Sequence, residues 1–335
     1  MNKFIFNCID AHTCGNPVRL IIDGKPNLLG DNMSEKRQYF LNNFDWIRKG
    51  LMFEPRGHDM MSGAILFPPH NSLNDFSILY IETSGCLPMC GHGTIGAVTI
   101  AIQEKLIIPK TPGFLNIETP AGTINVSYEQ VSNQVKSVKL INIDSFLAAK
   151  NYSIISDCLG EIFFDVSYGG NYYAIIEPQK NFLGIHNYKA GDIIRYSQEI
   201  RKKINKKYSN EFIHPNDSSI RDVSHLLWTG DTIDKNSNSR NAVFYGDKAI
   251  DRSPCGTGTS ARMAQLYERG DIKMNEQFIH ESYIGSKFTG KVEKESMVGN
   301  FKAITPSIKG WAKIYGYNKI LIDHEDPYAH GFQVI

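Results

Sequence analysis

At 335 residues the chain is long enough for two domains, or one large one, with interior volume for a site screened from water. Lys and Arg total 36 against 35 Asp and Glu, and a net charge of +1 gives no general pull toward nucleic acid or an anionic membrane, so the expected partner is a small molecule. Polar residues interrupt the first ten positions before a secretory apolar region can form, and no apolar run is long enough to span a bilayer; a cytoplasmic location is expected.

In chain order, residues 76–83 form an apolar run that predicts a strand. Directly after Cys90, the segment from Gly91 to Ile102 is apolar on nearly every face, as in a central, surrounded helix. The turn Thr119-Pro120-Ala121-Gly122 joins a strand at Ile117 to the alternating residues Ile124, Val126 and Tyr128, predicting a hairpin with one buried face. Further strands are predicted at 172–176 and 242–245, separated by charged, Asn-rich stretches at 201–216 and 231–240 that read as surface loops or solvated helix ends. After Cys255 a second helix begins at Gly256 and runs to Arg269, with Gly270 as its terminating glycine.

Two of these segments match. Cys90-Gly91-His92-Gly93-Thr94 and Cys255-Gly256-Thr257-Gly258-Thr259 each follow a proline and open a helix, 165 residues apart, close to half the chain. Duplication of one unit into two pseudosymmetric halves produces this spacing.

A helix start carries unbonded N–H groups and a partial positive charge. A cysteine there has its thiolate favoured, and adjacent glycines let a carboxylate reach the backbone. Two such turns on either side of one α-carbon would invert it, with one thiolate removing the proton while the other thiol delivers one to the opposite face. The pair would share a proton in the reactive form, and no metal or pyridoxal cofactor is required. Either cysteine by itself reads more readily as a packed core residue than as a catalytic one; the repetition carries the argument. The six cysteines, with no secretion signal, read as thiols rather than a disulfide framework. Cys86, Cys90 and His92 lack a second ligand pair at zinc spacing, so no metal is expected.

Asp251 could accept a hydrogen bond from a substrate ammonium, or cap the approach to the second helix. His92 and His225 could contact substrate or thiolate, or be structural. His12, Thr13 and the run 56–63 have the polar character of loop chemistry without an assigned role.

The segments Pro88-Met89-Cys90-Gly91-His92-Gly93-Thr94-Ile95-Gly96 and Asp251-Arg252-Ser253-Pro254-Cys255-Gly256-Thr257-Gly258-Thr259-Ser260-Ala261 resemble the two signatures of the proline racemase family. The resemblance covers essentially the whole chain, including Asp165 to Asn171, Ser224 to Gly230 and Asp326 to Phe332. It is most similar to the bacterial 4-hydroxyproline 2-epimerases within that family. This resemblance implies an α+β, diaminopimelate-epimerase-like fold of two pseudosymmetric halves, each an antiparallel-rich sheet around a central helix, with the active site in the cleft between them. The halves are placed at 1–129 plus about 316–335, and at 130–315. It further implies a homodimer without cofactor, Cys90 and Cys255 as the acid/base pair, Gly91, His92, Gly256 and Thr257 near the substrate carboxylate or the thiols, and Asp251 and His225 near the ring nitrogen.

Three activities share this scaffold. Dehydratases of trans-3-hydroxyproline typically carry threonine at the second cysteine position, whereas Cys255 is present here. Proline racemases often read Asn where Gly93 stands, and the smaller residue would leave room for a ring hydroxyl. The turn Cys14-Gly15-Asn16 departs from the Gly and Glu that many members carry at its first and third places. The implied activity is therefore epimerisation of 4-hydroxyproline, with proline racemisation or non-catalytic amino-acid binding as alternatives.

Overall fold

The computed structural model describes residues 3–334. The chain forms two compact units, one built from the segment up to Leu140 together with the segment from Gly310 onward, the other from Ile141–Lys309.

The first unit opens with the antiparallel pair β1 (Lys3–Thr13) and β2 (Asn16–Asp23), followed by helices α1 (Met33–Asn43) and α2 (Asp45–Met52). Strand β3 (Ser62–Phe67) runs parallel to β2, and β4 (Phe76–Glu82) returns antiparallel to β3. After the short β5 (Gly85–Leu87) comes α3 (Gly91–Gln103), then β6 (Phe114–Thr119), parallel to β4, the hairpin partner β7 (Gly122–Val131), and β8 (Gln134–Ile141). Every residue of α3 from Gly91 to Ile102 is buried, and the helix packs against β1, β2 and β3. A helix apolar all round has no stable place except inside a sheet that wraps it. Across the sheet from it, Phe6, Ile21, Phe40, Leu51, Ile65 and Leu79 belong to a core formed with α1 and α2.

The second unit comprises β9 (Ser145–Ser156), β10 (Gly160–Tyr168), β11 (Tyr172–Ile176), α4 (Ala190–Lys207), the small pair β12 (Ile213–His214) and β13 (Asp217–Arg221), then β14 (Val223–Gly230), β15 (Ser239–Tyr245), β16 (Ala249–Ile250), α5 (Gly256–Arg269), β17 (Gln277–Glu281), β18 (Lys287–Val298) and β19 (Phe301–Gly310). Pairing runs from β9 through β10, β11, β14, β15, β17, β18 and β19 and back to β9, so the sheet closes on itself. Closure removes exposed strand edges. Helix α5, buried from Gly256 to Leu266, packs against β9, β10, β11 and β18. The chain then returns to the first unit with β20 (Ala312–Asp323), antiparallel to β1 along its whole length and also against α3.

Both cysteine-led helices therefore form, and Gly270 ends α5 with φ +82°, the left-handed cap that glycine takes without strain. The stretch 201–216, read as surface loop or solvated helix end, opens as the charged last turns of α4 and runs on through a turn into β12. Ile193, Tyr196, Ile200 and Ile204 give that helix a buried stripe, and its charged residues lie on the other face. No helix among the described residues is long and apolar enough to cross a membrane. None of the six cysteines forms a disulfide.

Candidate active site

In each unit a buried strand delivers the chain to a cysteine that caps the central helix. Cys90 has extended backbone angles, and its Sγ accepts a hydrogen bond from the Gly93 N–H at 3.3 Å. Cys255 Sγ accepts the same bond from the Gly258 N–H, also at 3.3 Å. Sulfur thus occupies the place a Ser or Asp oxygen takes in ordinary helix capping. The glycine at this third position leaves the sulfur its place. A Cβ on Gly93 would lie 2.9 Å from the Cys90 sulfur, and one on Gly258 would lie 3.1 Å from the Cys255 sulfur. Packing against the thiol is therefore a reason for Gly93 that is independent of any ring hydroxyl.

Around Cys90, which is 4% exposed, His92 places Nδ1 3.5 Å from the sulfur. The His92 ring is itself held, with Nε2 3.1 Å from the Asn16 amide nitrogen, while its backbone carbonyl accepts from the Thr13 hydroxyl at 2.8 Å. Burial depresses His92 to about 4, so the imidazole is neutral at physiological pH. Tyr80 hydrogen-bonds Thr94 at 2.6 Å, and Thr94 donates to the Cys90 carbonyl at 2.8 Å. Glu82, at the end of β4, accepts from the Cys90 thiol at 3.6 Å, from Ser84 at 2.8 Å and from Ser62 at 3.3 Å. Burial pushes Glu82 up to about 7, against the pull of those hydrogen bonds and of the Arg48 charge.

Ligand-type atoms of Glu82, Cys90 and His92 all lie within 4.8 Å of one another. Hydrogen bonds through the thiol account for that closeness, and we assign none of the three as a ligand to a metal.

Cys255, 5% exposed, has φ +63°, a backbone region that side chains other than glycine rarely enter. The turn before it is tied by Asp251, whose Oδ1 accepts from both the backbone N–H and the hydroxyl of Ser253 at 2.8 Å; Ser253 Oγ in turn accepts from the Cys255 N–H at 3.1 Å. The capping role considered for Asp251 is thus present in the fold. Tyr173 places its hydroxyl 3.3 Å from the Cys255 sulfur and 2.5 Å from Thr257 Oγ1. His225, on β14, hydrogen-bonds Ser224 at 2.7 Å and lies against the Tyr173 ring at 4.8 Å between centroids.

The expectation that a helix start favours the thiolate is reversed at Cys255. Burial, reinforced by the nearby Asp251 charge, pushes this thiol well above the ordinary range, outweighing the hydrogen bonds from Tyr173, the Gly258 N–H and Thr257.

The expected site residues thus gather as Cys90, Gly91 and His92 in the first unit, and as His225, Asp251, Cys255, Gly256 and Thr257 in the second. Sequence reasoning missed Glu82, Tyr80 and Asn16 around the first thiol, and Tyr173 and Ser253 around the second. A charged residue closing an otherwise apolar strand was the available signal for Glu82.

The α+β fold, with a helix buried against the sheet of each unit, is that of the diaminopimelate-epimerase-like proteins. It is shared with a phenazine biosynthesis protein of the PhzF family from Bacillus anthracis, at TM-score 0.61 and 16% identity over 96% of this chain and 99% of that one. The family model "Proline racemase" matches residues 8–333, and the chain belongs to that family. A 4-hydroxyproline 2-epimerase of Spirosoma linguale is 59% identical over the full length of both chains. The crystal structure of a hydroxyproline epimerase from Agrobacterium vitis, with bound trans-4-hydroxy-L-proline, superposes at TM-score 0.90 and 25% identity, covering 98% of this chain and 96% of that one.

Proposed function

We propose that this protein is an isomerase, a 4-hydroxyproline 2-epimerase that interconverts trans-4-hydroxy-L-proline and cis-4-hydroxy-D-proline. The observation that carries the reading is full-length identity of 55–59% to relatives, several of which bear that activity in their names. The two cysteine caps supply chemistry suited to it.

In this mechanism Cys90 and Cys255 act on opposite faces of the substrate α-carbon. One removes the proton as thiolate while the other donates from its thiol, and the reverse reaction exchanges the roles. Substrate carboxylate is bound by the N–H groups at the helix starts near Gly91, His92, Gly256 and Thr257, which also stabilise charge that moves onto it as the proton leaves. Asp251 and His225 engage the ring nitrogen. Neutral His92 fits a hydrogen-bonding role beside sulfur better than that of an ion-pair partner. The working form is a cytoplasmic homodimer.

Incubation in deuterated water with trans-4-hydroxy-L-proline, cis-4-hydroxy-D-proline, L-proline and trans-3-hydroxy-L-proline tests the reading. α-Deuterium should enter the 4-hydroxyproline pair fastest, with a change in optical rotation; absence of exchange in all four would sink it. Cys90→Ser and Cys255→Ser should each abolish inversion, and full activity in either would contradict a two-thiol mechanism.

A further inference from the structure

The two cysteine caps share the same sulfur-to-glycine hydrogen bond but differ in chemistry. Tyr80 and Tyr173 correspond: each rises from a buried strand, packs its ring against the third-position glycine, and hydrogen-bonds a threonine at the helix start. Counting from them, the residue two places on along the same strand face is Glu82 in the first unit and Ile175 in the second. Ile175 belongs to an apolar cluster with Tyr173, Leu227, Val243 and Cys255 itself. At the equivalent place beside Cys90 stands a carboxyl group, 2% exposed, with Oε1 in reach of the sulfur.

A buried carboxyl is costly unless it is bonded or uncharged. Glu82 is surrounded by the Ser62 hydroxyl from β3, Ser84 from the following turn and the Cys90 thiol from the start of α3. The nearest cation, Arg48 on α2, forms a two-bond ion pair with Asp45 and donates to the backbone carbonyls of Glu82 and Thr83 rather than to the carboxylate. His92, whose ring nitrogen lies within 4.8 Å of both the sulfur and the Glu82 carboxyl, is neutral. Among the described residues no ion pair therefore pins the carboxylate in its charged form, and its hydrogen bond to a titratable group is the one from the thiol.

We propose that Glu82 is a positioning and proton-holding residue that acts through Cys90: Oε1 takes the thiol proton when Cys90 becomes the base, and returns it when Cys90 acts as the acid. The S–H bond breaks as the O–H bond forms, leaving thiolate and neutral carboxyl, so one proton moves and no electrons are exchanged with a third party. Cys255 has no carboxyl in this position, and its deprotonation depends on the phenol of Tyr173 and the Gly258 N–H. The thiols are consequently unequal before substrate arrives. Cys90 is the base of the resting enzyme, and Cys255 the acid.

This inference rests on the epimerase reading for its catalytic meaning, yet its physical core can be measured without substrate. Alkylation of the full-length protein by iodoacetamide at a series of pH values, with the Cys90 and Cys255 peptides quantified separately by mass spectrometry, gives each thiol its own profile. In the unaltered protein Cys90 should gain reactivity through pH 7, where Glu82 titrates, and should outpace Cys255. In Glu82→Gln that component should vanish, slowing Cys90 alkylation at pH 7 by roughly tenfold, and Glu82→Asp should restore part of it. The Cys255 profile should not change, which serves as the folding control in the same sample. Epimerase kcat in Glu82→Gln should fall by roughly tenfold to a hundredfold, with KM held within about twofold. A Cys90 profile identical in Glu82→Gln and the unaltered protein would overturn the proposal. Failure of every proline derivative to exchange would remove the epimerase reading while leaving the alkylation result to decide Glu82.

Discussion

Gly93 and Gly258 both sit close beside a cysteine sulfur, Gly93 the more tightly. Gly93→Ala would bring a methyl group to 2.9 Å from Cys90 Sγ and force the thiol aside. In the two-thiol mechanism proposed above, displacing this sulfur by a fraction of an ångström should lower kcat by roughly tenfold to a hundredfold, with the melting temperature nearly unchanged. Steady-state kinetics beside thermal melting would check this. A large fall in stability with kcat retained would mean that the glycine serves packing and not sulfur placement. Cys255 carries the opposite kind of constraint, in its backbone. At φ +63° a side chain costs about 1–3 kcal/mol, and glycine costs little. Cys255→Gly should therefore melt above Cys255→Ser while both lack inversion, a comparison that separates strain from the loss of sulfur.

At the level of elements, the helices that begin at cysteines were legible in the sequence, and three other helices were not. The stretches after Cys90 and Cys255 announce themselves by repeated Gly and Thr placement, and the apolar character of 91–102 matches the buried helix it becomes. Strands β4 and β11 were equally plain, since runs such as Phe76 to Glu82 are buried at every position. Helix α1 was hidden because only Met33 and Phe40 of its eleven residues are buried, too few to set up a period. Helix α4 has a clear buried stripe, but the five Lys and Arg residues from Arg201 to Lys207 masked it. The site was legible to the same depth: motif residues could be read, while Glu82 and Tyr173 reach the thiols, and Asn16 the His92 ring, from distant segments by tertiary folding. Helix α1 offers a direct test of local stability. Asn32 accepts from the Glu35 N–H at 2.9 Å, and the Glu35 carboxylate reaches back to the Asp31 N–H at 2.9 Å. Asn32→Ala should cost about 1 kcal/mol in urea unfolding, with epimerase activity retained. A loss below a few tenths would show that packing, not the cap, holds this helix.

For the whole molecule, the buried titratable groups set the pH range of stability. His92 and His280 are held neutral by burial, at about 4 and about 3, against an ordinary value of 6.5. Below pH 6.5 the unfolded chain takes up protons that the folded chain refuses, so stability falls with falling pH; His92 by itself accounts for roughly 3 kcal/mol between pH 6.5 and 4. Glu82 has the opposite sign. Its folded value of about 7 exceeds the ordinary 4.5, the folded state holds the proton longer, and stability falls as pH rises between those values. These contributions overlap between pH 4.5 and 6.5, where the histidines favour the folded state as pH rises and Glu82 opposes them, so Glu82→Gln should steepen the rise of the urea midpoint across that interval and remove the decline between pH 6.5 and 7. An unchanged slope between pH 4.5 and 7 in that variant would place the carboxylate in a more hydrated setting than its burial indicates.

The route of the backbone has a consequence for how the protein is made. Strand β1 finds its longest partner in β20, some three hundred residues later, whereas the eight-strand ring of the second unit is drawn from one uninterrupted stretch. During synthesis on the ribosome the later-encoded unit can finish first, while the earlier one waits with an open flank that only the tail of the chain can fill. Truncation before Ala312 should thus leave nascent chains with a protease-resistant middle and a vulnerable beginning.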